Sequence, residues 1–489
     1  MSNQPVRVRF APSPTGSMHV GGIRTALYNY LFAKHHGGTM VLRIEDTDAE
    51  RSDHKLAEEQ LNDLRWLGIQ WDEGPDCPGE FGPYYQSERL NFYKQYVDQL
   101  LKEGHAYHCF LTDEEIEAQK AKAEANGDPY QVASPYRDLA FDDPEVIKRL
   151  ENKEKATVRF KVKDPNRVYT FEDLVRGEIN LPAHMVGDFV LLRSDGMPVY
   201  NFCCVVDDHA MKISHVFRGE EHLSNTLRQL MLYEALGFAI PQFGHLSIIL
   251  DEERKKLSKR HKAASCSDLK QLGYIPEGII NYLALLGWSH PRGEEILSMT
   301  DLVEAFTVDR VNASPAVFDI QKLHWLNGQH IRNMTPKQLW ALLSATPDFE
   351  TLTLPTDSDW YEKGLAVIWS ECDTLAHAVE LLKVWFDQNH FSVTEEAKEV
   401  LAWPNTKAIL ENWLAQVNNS DGFLTADQYK AMVDNIKANA DGVKGKFLFM
   451  PLRVAMIGMP HGPDLHLLAE AIPVELLKVR AQACLELCS

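Results

Sequence analysis

Two short runs of residues, more than two hundred positions apart, carry the chemistry that is easiest to read in this chain. The first is Arg9-Phe10-Ala11-Pro12-Ser13-Pro14-Thr15-Gly16-Ser17-Met18-His19-Val20-Gly21-Gly22. The second is Lys255-Lys256-Leu257-Ser258-Lys259-Arg260, which follows an apolar run and the acidic turn Asp251-Glu252-Glu253. A helix N-terminus offers N–H groups and the positive end of its dipole to phosphate, and His19 adds a donor there. Gly21 and Gly22 remove side chains where a nucleotide must approach the backbone closely. Lys256, Ser258 and Lys259 can neutralise charge developing on a departing pyrophosphate, a dominant kind of term in nucleotidyl transfer. A carboxylate nucleophile needs no general base, because it is already ionised at neutral pH. Taken singly, the first run also fits a plain helix cap and the second a solvated basic loop. Together, in this order, they imply an enzyme that forms an adenylate from ATP.

The elements that must position these residues follow from hydrophobic periodicity. Val6 to Ala11 reads as a buried strand, residues 20–36 as a helix, Thr39 to Ile44 as a second strand and 53–67 as a second helix. That alternation opens a doubly wound, Rossmann-type parallel sheet of the α/β class. Its ligands lie at the carboxyl ends of the strands, where Pro12–Gly22 and Glu45-Asp46-Thr47-Asp48 fall. Residues 72–90 are turn-rich. An α+β insertion follows, with β-rich runs near 156–163 and 186–193. Strand character resumes at Pro198–Val206, and His245 to Leu250 reads as a further strand. After Cys266 the texture changes to helix, with Ile279 to Leu286 an apolar helix, and from 335 onward most segments are helical in period, as in 362–385 and 406–417. The expected division is a first half-sheet over 1–95, the insertion over 96–199, a second half-sheet over 200–255, a loop-bearing segment over 256–335 and an all-α arm over 336–489.

Composition sets outer limits. A chain of 489 residues exceeds one ordinary core. Its net charge of −20 argues against a protein that coats nucleic acid without specificity. Neither a secretion signal nor a membrane span is visible, so a cytoplasmic protein is expected. The eight cysteines are scattered and lack a Cys-x-x-Cys pair, which disfavours a disulfide framework.

The two runs, with Arg43-Ile44-Glu45-Asp46-Thr47-Asp48, Val206-Asp207-Asp208-His209, Arg218-Gly219-Glu220-Glu221-His222, Leu286-Gly287-Trp288 and Leu323-His324-Trp325-Leu326-Asn327-Gly328, give the chain a family resemblance. It resembles bacterial glutamyl-tRNA synthetases, which are class I aminoacyl-tRNA synthetases, over essentially its whole length. His19-Val20-Gly21-Gly22 meets the family's first signature and Lys256-Leu257-Ser258-Lys259-Arg260 its second. The resemblance implies L-glutamate, ATP with Mg²⁺ and tRNA(Glu) as substrates, in a monomer. It implies glutamate binding by Arg9, Ala11, Ser13, Glu45, Tyr200 and Arg218. It also implies nucleotide binding by His19, Gly21, Gly22, Glu221, Lys256 and Lys259, with His19, Lys256, Ser258 and Lys259 catalytic. The insertion is expected to hold the tRNA acceptor end and the helical arm to read the anticodon. An arginine facing the side-chain end would reject glutamine, because a neutral amide pairs poorly with it.

Two positions depart from the family pattern. The position four after Tyr200, often polar, is Cys204. The zinc knuckle of some relatives keeps one cysteine, Cys109, beside His105 and His108 and lacks a fourth ligand, so no structural zinc is expected. The nearest rival is a glutaminyl-tRNA synthetase, whose β-barrel anticodon domains do not suit a helical arm; a non-discriminating enzyme that also charges tRNA(Gln) stays open. A catalytically dead paralogue would have a damaged nucleotide site, and a small-molecule nucleotidyltransferase would not need the arm.

Overall fold

The computed structural model describes residues 5–47, 53–127, 131–257, 263–439 and 443–488. The chain divides into two compact units, Met1–Asp268 with Ile279–Ile320, and Leu269–Gly278 with Gln321–Ser489.

In the first unit β1 (Arg7–Phe10) leads through α1 (Val20–His35) to β2 (Thr39–Leu42), then α2 (His54–Trp66) and α3 (Leu90–Lys102). The inserted stretch holds β3 (Ala106–Cys109), α4 (Asp113–Asn126), α5 (Pro144–Glu151), β4 (Thr157–Phe160), the hairpin β5 (Val168–Asp173) and β6 (Gly177–Pro182), and β7 (Phe189–Leu192). There follow α6 (Tyr200–Ala210), β8 (His215–Gly219), α7 (Leu223–Ala235) and β9 (Gln242–Leu246), and later the short pair β10 (Ile249–Leu250) and β11 (Ala316–Val317). Among the described residues the main sheet runs β2-β1-β8-β9-β5-β6 and is parallel except for the β5–β6 hairpin. The chain leaves β1 in one direction for β2 and returns on its other side with β8. This switch point opens a crevice at the carboxyl ends of β1 and β8.

Local chemistry explains the framing elements. The His19 side chain caps α1, and Lys34 and His35 oppose the dipole in its last turn. Gly37, at φ +60°, lets the chain turn sharply into β2. α1 buries Ile23, Ala26, Leu27 and Leu31 and packs on β1, β2 and β8. Tyr93 and Val97 of α3, Phe202 and Val205 of α6, and Leu230 of α7 form a further core with Val216 of the sheet.

The structure corrects several expectations. Pro198–Val206 is not a strand: Tyr200–Ala210 is a helix whose residues Phe202 to Asp208 are all buried. A helix buried on every side has no amphipathic period, and its Val205-Val206 pair mimics a strand. His245–Leu250 is split between β9 and β10, which belong to different sheets. Strand β8 and the β5–β6 hairpin were not foreseen, and the hairpin joins the main sheet through Asp173 opposite Phe243. The stretch 362–385 is helical as read, in two helices, Trp360–Ile368 and Leu375–Phe386.

The second unit is helical, with a core that includes Trp360, Leu365, Leu410, Trp413 and Leu452. Arg480, also buried, donates from Nη1 to the Trp385 and Met456 carbonyls at 2.8 and 2.6 Å. Among the described residues no helix is long and apolar enough to cross a membrane.

The entry to the inserted stretch is tied to α6 by a buried charge. Asp207, fully buried, accepts from Arg89 Nε at 2.6 Å, Gln86 Nε2 at 2.9 Å and the Tyr93 hydroxyl at 2.9 Å. Asp207→Asn keeps the shape but leaves Arg89 without its counter-charge. Breaking a buried pair on one side costs about 3–5 kcal/mol. A clear drop in the urea midpoint is expected, and an unchanged midpoint contradicts the assignment.

Candidate active site

The loop after β1 is fixed before any ligand arrives. Gln60, from α2, donates from Nε2 to the carbonyls of Ser13 at 3.3 Å and Gly16 at 2.7 Å. Gly16 takes φ +141°, a backbone region closed to other residues. His19 Nδ1 accepts the Gly21 N–H at 3.2 Å, so a neutral ring carries its proton on Nε2. A Cβ at Gly21 or Gly22 would meet only His19 Nδ1 or Met18 Cγ, each at 3.5 Å, an ordinary contact. Packing therefore does not demand glycine at either position, although glycine in a helix costs roughly 1 kcal/mol against alanine. What the two glycines provide is open backbone beside a cavity.

The second run reaches the same place through a tight hairpin. Asp251 caps its own turn by accepting the Lys255 N–H at 2.8 Å, and the Leu257 N–H bonds to Ile249 O at 3.0 Å. Ser258 and Lys259 lie outside the described residues. On the far side, Ala264 O accepts the Val20 N–H at 3.0 Å and the Cys266 N–H reaches Met18 O at 3.0 Å. Both flanks of residues 258–262 are thus pinned at the start of α1 or on the wall beside it.

Two cavities meet here. One of about 600 Å³ is lined by Arg9, Ala11, Ser13, Glu45, Tyr200 and Arg218. The other, of about 510 Å³, is lined by His19, Gly21, Gly22, Arg24, Glu221 and Lys256. His19, Gly21, Gly22 and Glu221 line both, so the two form one cleft.

Charge under the first cavity is arranged in opposed pairs. Asp208 accepts from Arg43 Nη1 at 2.7 Å and Arg9 Nε at 3.2 Å; Arg43 also meets Glu45 at 3.3 Å and Asp207 at 3.7 Å. With Arg89 on Asp207, three buried arginines balance three buried carboxylates. Burial alone would raise the Asp208 carboxyl, but Arg9 and Arg43 outweigh it and hold it below the usual range. Burial pushes Glu45 up against the pull of Arg43 and Arg9. Cys204 is buried at the edge of this cluster and donates its thiol to Glu45 Oε1 at 3.3 Å.

Arg218 differs from Arg9. It donates from Nε to His245 Nε2 at 3.1 Å and from Nη2 to Thr226 Oγ1 at 2.8 Å, both neutral acceptors. Its buried Nη1 has no partner among the described residues. Beside it, His222 Nδ1 faces the Tyr200 hydroxyl at 3.1 Å and the Asn225 side-chain N–H at 3.3 Å, which makes that nitrogen an acceptor. Burial and the Arg218 charge push His222 down to about 4.

The structure thus gathers Arg9, Ala11, Ser13, Glu45, Tyr200 and Arg218 on one wall of the cleft, and His19, Gly21, Gly22, Glu221 and Lys256 on the other. Sequence reasoning missed the residues that hold them: Gln60, Arg43, Asp208, Asp173 and His245. Two acids at the end of an apolar run, Val205-Val206-Asp207-Asp208, were the available signal, obscured by the strand assignment. His105, His108 and Cys109 fall at β3; among the described residues no group of three or more His, Cys, Asp or Glu is placed to hold a metal ion.

Comparison with known proteins gives concordant matches. Residues 5–325 match the family described as class I tRNA synthetases (E and Q), catalytic domain, and residues 335–482 match an anticodon binding domain. A glutamate–tRNA ligase of Bdellovibrio bacteriovorus is 52% identical over 487 residues, covering 98% of each chain. One from a Sulfurihydrogenibium species is 48% identical over 484 residues, covering 98% of this chain and 99% of the relative. The crystal structure of a glutamate tRNA ligase from Elizabethkingia meningosepticum, in complex with its amino acid, aligns at TM-score 0.90 with 34% identity, covering 99% of this chain and 100% of that one.

The state of His222 is directly measurable. Its imidazole NMR signal, assigned by its loss in His222→Asn, should stay neutral until about pH 4. A midpoint near the ordinary value of about 6.5 contradicts the geometry. The unfolded chain takes up this proton at higher pH than the folded one. The folded state therefore loses stability as pH falls between those two values, and His222→Asn removes that part of the loss.

Proposed function

The chain belongs to the class I tRNA synthetases of the glutamate and glutamine branch, and we propose that it works as a glutamate–tRNA ligase. The observation that carries the amino-acid assignment is the unpartnered Nη1 of Arg218 on a wall where Arg9 is already bridged to Asp208. Arg218 takes the side-chain carboxylate of L-glutamate through a charge-assisted hydrogen bond. Glu45 takes the ammonium, Tyr200 supplies a hydroxyl, and Arg9, Ala11 and Ser13 complete the wall. Glutamine would set a neutral amide against this buried cation, a poor exchange for its lost hydration.

ATP lies along the neighbouring wall, with its phosphates over the start of α1 where Gly21 and Gly22 leave the backbone open, and with Glu221 contacting the nucleotide. Mg²⁺ arrives on those phosphates as part of the substrate. The glutamate α-carboxylate attacks the α-phosphorus, a P–O bond forms, and the bond to pyrophosphate breaks. His19 Nε2–H, Lys256, Ser258 and Lys259 stabilise the charge that gathers on the leaving group. A 2′-hydroxyl of the terminal tRNA adenosine then takes the glutamyl group, releasing AMP. Residues 96–199 hold the acceptor end, 256–335 contact the stem and 336–489 read the anticodon. The working form is a cytoplasmic monomer that charges tRNA(Glu).

An aminoacylation assay with glutamate and glutamine against purified tRNA(Glu) and tRNA(Gln) tests this: glutamate should pass to tRNA(Glu), and absence of that product ends the proposal. Lys259→Ala should lower the adenylation rate by about 10²–10³ with tRNA affinity nearly intact, while Arg9→Ala should impair glutamate use. Equal adenylate formation by Lys259→Ala, or unchanged glutamate kinetics in Arg9→Ala, removes that residue from its role.

A further inference from the structure

The hydrogen bonds behind Arg218 form a chain that the reaction described above does not use. Asp173, at the end of β5, is buried, and so is His245 in β9. Asp173 accepts the backbone N–H groups of His245 at 3.2 Å and of Val175 and Arg176 at 3.0 Å, so it acts as an acceptor-only carboxylate. Its Oδ2 lies 2.6 Å from His245 Nδ1, which must therefore carry the ring proton. Nε2 is left as a lone pair, and the Nε–H of Arg218, always a donor, points at it from 3.1 Å.

We infer that His245 and Asp173 are positioning residues for Arg218: their locked pair offers Arg218 Nε a fixed acceptor and so aims Nη1 at the amino-acid cavity. The inference rests on the assignment of Arg218 to the side-chain carboxylate and adds what sets that guanidinium in place.

Three further observations support it. Thr226 Oγ1 holds Nη2 at 2.8 Å, so two of the three guanidinium nitrogens are fixed, and the third, Nη1, is buried with no partner among the described residues. The ring of Phe243 lies 5.3 Å from the guanidinium carbon and limits its swing. A protonated His245 would present N–H to N–H and set two cations side by side, and burial with the Arg218 charge keeps this imidazole below its ordinary pKa. Asp173 is held ionised in spite of its burial by its bonds from His245 and the backbone.

The origin of the anchor matters as much as its geometry. Asp173 belongs to the inserted stretch, whose β5–β6 hairpin pairs with β9 beside His245. The adjacent Arg176 donates to His245 O at 3.2 Å and forms an ion pair with Glu220, two residues beyond Arg218. One hairpin thus fixes both the imidazole and the strand end that carries the specificity arginine. Amino-acid selection in the main sheet is built partly from residues outside its two half-sheets.

The test compares His245→Leu, His245→Gln and Asp173→Asn with the unaltered chain, in glutamate-dependent ATP–pyrophosphate exchange with tRNA(Glu) present. His245→Leu removes the acceptor; His245→Gln places an amide oxygen near the position of Nε2. The loss of a hydrogen bond to a charged group predicts a fall of roughly 10- to 10²-fold in kcat/KM for glutamate in His245→Leu, with KM for ATP unchanged. Selectivity for glutamate over glutamine should fall with it, Asp173→Asn should show a smaller loss, and His245→Gln should recover most of the activity. Equal losses in His245→Gln and His245→Leu, or an ATP KM that rises with the glutamate KM, would show a merely structural role and overturn the inference. Should His245→Leu not fold, His245→Gln and Asp173→Asn decide: Asp173→Asn with full glutamate selectivity overturns it. An unaltered chain that activates no glutamate brings down the functional assignment and this inference together. Loss of selectivity in Arg218→Gln with none in any His245 or Asp173 variant brings down only this inference.

Discussion

The site depends on how a dry protein interior holds charge. Three arginines and three carboxylates lie under one end of the sheet, and a charge buried alone costs far more than a protein of ordinary stability can absorb. Arg9, Arg43 and Arg89 are therefore each set against Asp207, Asp208 or Glu45 at 2.6 to 3.3 Å. The consequence for function lies in the exception. Arg218 shares the cleft but meets only a histidine and a threonine, with one nitrogen unpartnered among the described residues. The buried Arg24 and Arg480 lack a carboxylate too but are met by backbone carbonyls, whereas Arg218 is left, in the proposed reading, for a ligand to balance.

Topology brings the second half of the chemistry to the same spot. Because β8 lies beside β1 on the side away from β2, the ends of both strands frame one crevice. The start of α1 lies across that crevice. The hairpin from Ile249 to Leu257 and the return at Ala264–Cys266 then bring the distant basic run to the same helix end. No long-range contact between the two runs is visible in the sequence; backbone hydrogen bonds join the first run to Ala264 and Cys266, just beyond residues 258–262, and Lys256 lines the same cavity as His19.

The residues that line the cleft were the legible part. His19, Gly21, Gly22 and Lys256 stand out because their types are poor choices for packing at those positions, and Arg9, Glu45 and Arg218 because they sit in long recognisable strings. The strand–helix–strand–helix opening was legible because its helices are amphipathic and its strands short and apolar. Legibility failed where burial is complete. Tyr200–Ala210 carries no period, so its helical nature and the roles of Asp207 and Asp208 stayed hidden. The β5–β6 hairpin alternates exposed and half-buried residues and joins the sheet by a single edge, so nothing local marks Asp173 as part of the site. His245 looked like one residue of an ordinary strand, since its meaning lies in partners 27 and 72 positions away.

The most direct test is a crystal structure of the chain with a non-hydrolysable glutamyl-adenylate analogue. The account predicts the glutamyl side-chain carboxylate on Arg218 Nη1, with Arg9 still bridged to Asp208, and the adenylate phosphate between His19 and the lysines of the second run. An analogue whose side-chain carboxylate lies away from Arg218, or whose phosphate meets only one of the two runs, would contradict it.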